Sequence, residues 1–79
     1  MNKQRRKLID KAITKLEEIQ TELESVKDDE EEAYDNLPES LQLGDRGEAM
    51  SEAIDNLENA ISDIEEATDY LRDAMGGGD

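Results

Sequence analysis

Asn36-Leu37-Pro38-Glu39-Ser40-Leu41-Gln42-Leu43-Gly44-Asp45 separates two stretches whose apolar residues recur at helical spacing. Proline disfavours helical backbone at the residue before it, so a helix entering from the N-terminal side ends near Asn36. The turn Pro38-Glu39-Ser40-Leu41-Gln42 can be a short helical one, with Leu41 and Leu43 plugging the end of an interhelical seam. Gly44 supplies the break. Asp45 fits the N-cap of a second helix, with Glu48 three residues on as its capping-box partner. So short a connection between two long helices predicts an antiparallel hairpin.

Outward from this segment, both stretches carry a heptad seam. On the first side Ile9, Ala12, Leu16, Ile19, Leu23, Val26, Glu30, Ala33 and Leu37 fall at alternating steps of three and four. On the second, Met50, Ile54, Leu57, Ile61, Ile64, Thr68, Leu71 and Met75 do the same. Glu30 and Thr68 are the polar members. Glu30 is expected to reach outward near the loop rather than to set register from within the seam. The chain therefore reads as all-α: one domain over residues 1–79, with a helix at about 3–36, a loop at 37–45, a helix at about 46–75 and a flexible glycine tail at 76–79.

A further stripe bears on assembly. Ala53, Ala60, Ala67 and Ala74 recur every seven residues beside the second seam, and Ile13, Gln20, Lys27 and Tyr34 do so beside the first. A hairpin needs only a narrow apolar stripe, whereas a bundle buries a wider one. Alanine is also the best helix former, which alone could account for the repeat. The stripe, with Ile61 and Ile64, is the expected interface of a homodimer forming a four-helix bundle. A lone hairpin with so little apolar surface would be marginal. Tyr34 and Tyr70 are expected to be partly buried.

Charge is unevenly spread. Residues 1–16 hold six basic side chains against Asp10 alone, a net +5, and the remaining 22 acids face three bases, a net −19. In an antiparallel hairpin Lys7, Lys11 and Lys15 would sit level with Asp73, Asp69 and Glu66 or Glu65, giving exposed pairs worth about 0–1 kcal/mol each. Without aromatic partners the basic end is a poor nucleic-acid site, so no direct nucleic-acid binding is expected. Between Glu17 and Asp73 stand 21 carboxylates. On a hairpin this long they approach the roughly 1.7 Å charge spacing of duplex DNA. Glu52, Asp55, Glu58, Asp63, Glu66 and Asp69 are the candidate partner-binding residues. Such a rod could occupy the basic groove of a DNA-binding protein; acidity serving solubility alone is the plainer account.

Catalysis is not expected. Cysteine and histidine are absent, which removes disulfides, thiolate metal sites and the commonest general base. The acidic pairs Glu65-Glu66-x-x-Asp69 and Glu32-x-x-Asp35 suit Mg²⁺ chemically but lie far apart in a hairpin. The run Asp28-Asp29-Glu30-Glu31-Glu32 lacks the glycine turn and alternating ligands of an EF-hand loop. No metal, cofactor or catalytic residue is assigned. No apolar run is long enough for a membrane span. The basic opening is followed by no hydrophobic stretch, so no signal peptide is expected and a cytoplasmic location is.

The stretch Ala33-Tyr34-Asp35-Asn36-Leu37-Pro38-Glu39-Ser40-Leu41-Gln42, followed by Arg46-Gly47-Glu48-Ala49-Met50 and an Ala/Ile/Leu/Glu helix, resembles a group of small acidic helical-hairpin proteins. These occur in phages and mobile elements of Firmicutes and related gut bacteria. The resemblance covers most of the chain, strongest over residues 33–67, and carries over no catalytic residue. It implies a phage setting, in which small acidic proteins block host nucleases and other defence enzymes. The expected function is a non-enzymatic inhibitor of anti-defence or anti-CRISPR type, acting by DNA mimicry on a basic protein partner. The alternatives are a structural or adaptor protein assembling through its coiled-coil faces, or an antitoxin-like partner of a basic protein.

Overall fold

Asn2 opens the first helix, α1 (Lys3–Asp35), from extended backbone (φ −77°, ψ 164°), and its side-chain oxygen accepts the Arg5 N–H at 2.8 Å. That bond satisfies one of the donors a helix start leaves without an intrahelical partner. The structure is a computed structural model and describes residues 1–76. α1 stops where Pro38 requires: the Asn36 N–H still reaches the Glu32 carbonyl at 3.0 Å, and the Leu37 N–H falls back to Tyr34 at 3.1 Å. One turn, α2 (Glu39–Gln42), then turns the chain into α3 (Asp45–Gly76). α1 and α3 pack along their lengths as an antiparallel hairpin of 59 × 15 × 12 Å, with no strand among the described residues. Of the flexible glycine tail expected at 76–79, Gly76 instead closes α3, and residues 77–79 lie outside the described residues.

The connection differs from expectation in two ways. The first helical bond of α3 runs from the Glu48 N–H to the Gly44 carbonyl at 3.0 Å. Gly44 is therefore the capping residue, and Asp45 sits in the first turn, where its charge complements the helix dipole. Leu41 and Leu43 do not plug the seam; they are 43% and 83% exposed. Gln42 turns inward instead, and its side-chain amide donates to the Tyr34 carbonyl at 2.9 Å. Gly47, buried in the first turn of α3, allows this: a Cβ there would overlap the Gln42 backbone.

The seam of α3 is as expected. Met50, Ile54, Leu57, Ile61, Ile64, Thr68, Leu71 and Met75 are all buried or half-buried, with Ile61 and Thr68 the deepest. Thr68 satisfies its hydroxyl on the Ile64 carbonyl at 2.9 Å, so a polar seam residue costs little there.

The seam of α1 is half right. Ile9, Leu16, Leu23, Glu30 and Leu37 face α3, but their companions are Ile13, Gln20 and Lys27 with Tyr34, all buried or half-buried. The expected Ala12, Ile19, Val26 and Ala33 are exposed, Ile19 by 43% and Val26 by 51%. Both sets keep steps of three and four around the same central column and differ only in which flank turns inward. Hydrophobicity favours the exposed flank, whereas polar partners favour the observed one. Gln20 donates to Glu65 across the interface at 2.8 Å and to Glu24 at 3.2 Å, and Lys27 lies 3.9 Å from Glu31. Glu30 is half-buried.

Candidate protein-interaction surface

A helix turns about 100° per residue, which sorts the outer residues of α3 into two groups. Glu52, Asp55, Glu58, Asp63, Glu66 and Asp69 fall on the side away from the seam, and all six are exposed. Among the described residues only Asp69 of the six has an ion-pair partner, Arg72 at 3.7 Å. Arg72 also reaches Glu17 of α1 at 3.1 Å. The expected acidic column is therefore one continuous surface with its charge nearly uncompensated. It is joined along one edge of the hairpin by Glu17, Glu24 and Glu65, which line shallow grooves between the helices with Gln20 and Lys27.

The alanine column occupies the other edge of the seam. Ala53 and Ala60 are half-buried, whereas Ala67 and Ala74 are exposed. The change along the column follows from the roughly 20° by which a seven-residue repeat drifts around a straight helix. Ile61 and Ile64, expected to help form a dimer interface, face α1. Tyr70 is 67% exposed rather than partly buried, lying on the outer side near Ala67 and Ala74.

The cross-helix contacts fix the register. Glu17 meets Arg72 and Gln20 meets Glu65, so Lys15 comes level with about Asp73, and Lys7 and Lys11 reach further out than expected. Among the described residues Lys7, Lys11 and Lys15 pair with none of Asp73, Asp69, Glu66 or Glu65. The pairing that ties α1 to α3 is instead made by Gln20 and Arg72. Lys3, Gln4, Lys7, Leu8 and Lys11 line an open concavity at this basic end.

Among the described residues no group of three or more acidic side chains is placed to hold a metal ion. Nor, among the described residues, is any helix long and apolar enough to cross a membrane. No protein-family model, curated protein or solved structure matches the chain. What the surface offers is a rod with an acidic outer side, an apolar edge and a basic end.

Proposed function

We propose that this chain is a non-enzymatic, homodimeric interaction protein whose acidic side occupies the basic nucleic-acid-binding surface of another protein. In this reading it is a DNA mimic: an inhibitor of anti-defence, anti-CRISPR-like type, encoded by a phage or mobile element and acting in the bacterial cytoplasm. The observation that carries the reading is the exposed column from Glu52 to Asp69, six carboxylates with a single cation partner among the described residues. Carboxylates left without cations of their own are available to a basic partner, and a linear array suits a groove shaped for a phosphate backbone.

The test is capture from the DNA-binding fraction of a bacterial lysate by tagged protein, at about 50 mM and then 200 mM salt. A partner held through many phosphate-like contacts loses roughly 10³–10⁵-fold in affinity over that range. Duplex DNA should displace it. Capture that survives high salt, or that DNA does not compete, rejects the mimicry reading.

A second reading has its own observation. Leu8, Ile19 and Val26 are apolar, exposed and outside the hairpin seam, as a structural or adaptor protein would require. In that case function survives neutralisation of the acidic column and is lost on substitution of these three residues.

A further inference from the structure

We propose that a second copy of this chain covers the face formed by Leu8, Ala12, Ile19, Val26 and Ala33 of α1 with the alanine column of α3, the two hairpins lying with their loops at opposite ends. This deepens the homodimer reading above and rests on it. At about 100° per residue, Glu17 and Glu24 lie on one flank of the α1 seam and Ile19 and Val26 on the other. The Glu17–Arg72 and Gln20–Glu65 contacts occupy the first flank, so the apolar stripe of α1 shares the opposite face with the alanines of α3.

Three features point to a copy of the chain as the occupant. The first is area. The chain exposes 5845 Å², whereas a compact monomer of 8.9 kDa exposes about 4,800 Å². The excess of roughly 1,000 Å² goes with the elongated 59 × 15 × 12 Å shape, and burying the ~800 Å² per copy of a standard interface would bring the chain near the exposure of a compact monomer. The second is level. Because Gln20 meets Glu65, the midpoint between Ile19 and Val26 lies beside the midpoint between Ala60 and Ala67. One twofold axis can therefore pass through the centres of both stripes, which an isologous interface requires. The third is charge, which selects direction. Residues 23–63 hold 14 acids and two bases, and the remainder holds nine acids and seven bases, so the loop half is net −12 and the open half −2. Loops at the same end would set −12 against −12. Loops at opposite ends set −12 against −2 twice, with the basic stretch from Lys3 to Lys15 beside about residues 30–42 of the second copy, which hold Glu30, Glu31, Glu32, Asp35 and Glu39.

In this arrangement Ile19 faces the second copy's Val26, and Ala12 faces its Ala33. The acidic column from Glu52 to Asp69 stays outside, once on each copy.

Sedimentation equilibrium of the full chain should give twice 8.9 kDa. Ile19→Glu with Val26→Glu should give a monomer of unchanged helicity, since both residues lie outside the seam. Ala60→Glu, on the α3 half of the face, repeats the test should the double variant unfold. The chain has no cysteine, so direction can be read by cross-linking with a short thiol-reactive linker. Ala12→Cys chains mixed with Ala33→Cys chains should cross-link to each other. Cross-linking of Ala12→Cys to Ala74→Cys instead overturns the direction. A dimer that persists in folded Ile19→Glu/Val26→Glu and in folded Ala60→Glu overturns the face. A monomeric wild type overturns the homodimer itself and leaves partner capture by the acidic column standing.

Discussion

Gly44 and Gly47 stand three residues apart, yet they do different work. Gly47 lies where any Cβ would overlap the Gln42 backbone, so Gly47→Ala should lower stability by about 1–3 kcal/mol, despite alanine's better helix propensity. Gly44 caps α3 through its carbonyl, and a Cβ there meets nothing nearer than 3.6 Å. Gly44→Ser should raise stability by a few tenths of a kcal/mol through a new side-chain cap. Paired urea melts of the two variants check both signs, and equal effects would refute the close approach. Glu30 is half-buried in the seam, and Glu30→Leu should stabilise the hairpin by about 1 kcal/mol, read in the same melts. A loss of stability would instead give Glu30 a register-setting role.

At the scale of the element, α1 carries two flanks at seam spacing, one apolar and one mixed, and the hairpin uses the mixed one. Ile13 and Ile61 are 4% and 8% exposed, so truncating either to alanine should cost about 2–4 kcal/mol at any protein concentration. Val26→Ala should cost under about 1 kcal/mol in dilute solution and more in concentrated solution, where the second copy covers that flank. Thermal melts at two concentrations separate the cases. These outcomes also explain how far the sequence could be read. The α3 seam was legible because only one of its columns is flanked by large apolar residues, with alanines on the other side. In α1, Ala12–Ile19–Val26–Ala33 and Ile13–Gln20–Lys27–Tyr34 fit the same period equally well. Periodicity fixes the central column and says nothing about which neighbour turns inward. That choice rests on partners in α3, chiefly Glu65 and Arg72, 45 and 55 residues away from Gln20 and Glu17. Gly47 did leave a signal, since glycine inside a helix start often marks a close backbone approach. Tyr70 left none: its spacing allows burial, and the narrow seam leaves it outside.

Across the whole molecule, salt should act in opposite directions on folding and on function. A net charge of −14 repels itself, so screening should raise the melting temperature and tighten self-association through the apolar face. Capture of a basic partner should weaken over the same range. A melting temperature that falls with added salt would mean that attractive pairs such as Glu17–Arg72 outweigh the repulsion. The acidic column could be listed from the sequence, because exposure of polar residues opposite a seam follows from helical spacing alone. Its partner could not, since charge density describes a class of surface and not one protein. The most direct measurement is therefore competition by fluorescence anisotropy, with labelled duplex DNA bound to the captured partner. Wild-type chain should displace the DNA, and a variant carrying Glu52→Gln, Asp55→Asn, Glu58→Gln, Asp63→Asn, Glu66→Gln and Asp69→Asn should need at least about 100-fold more protein to do so, since two to three kcal/mol is a modest share of six charge contacts. Equal displacement by the neutralised variant would contradict DNA mimicry by this surface.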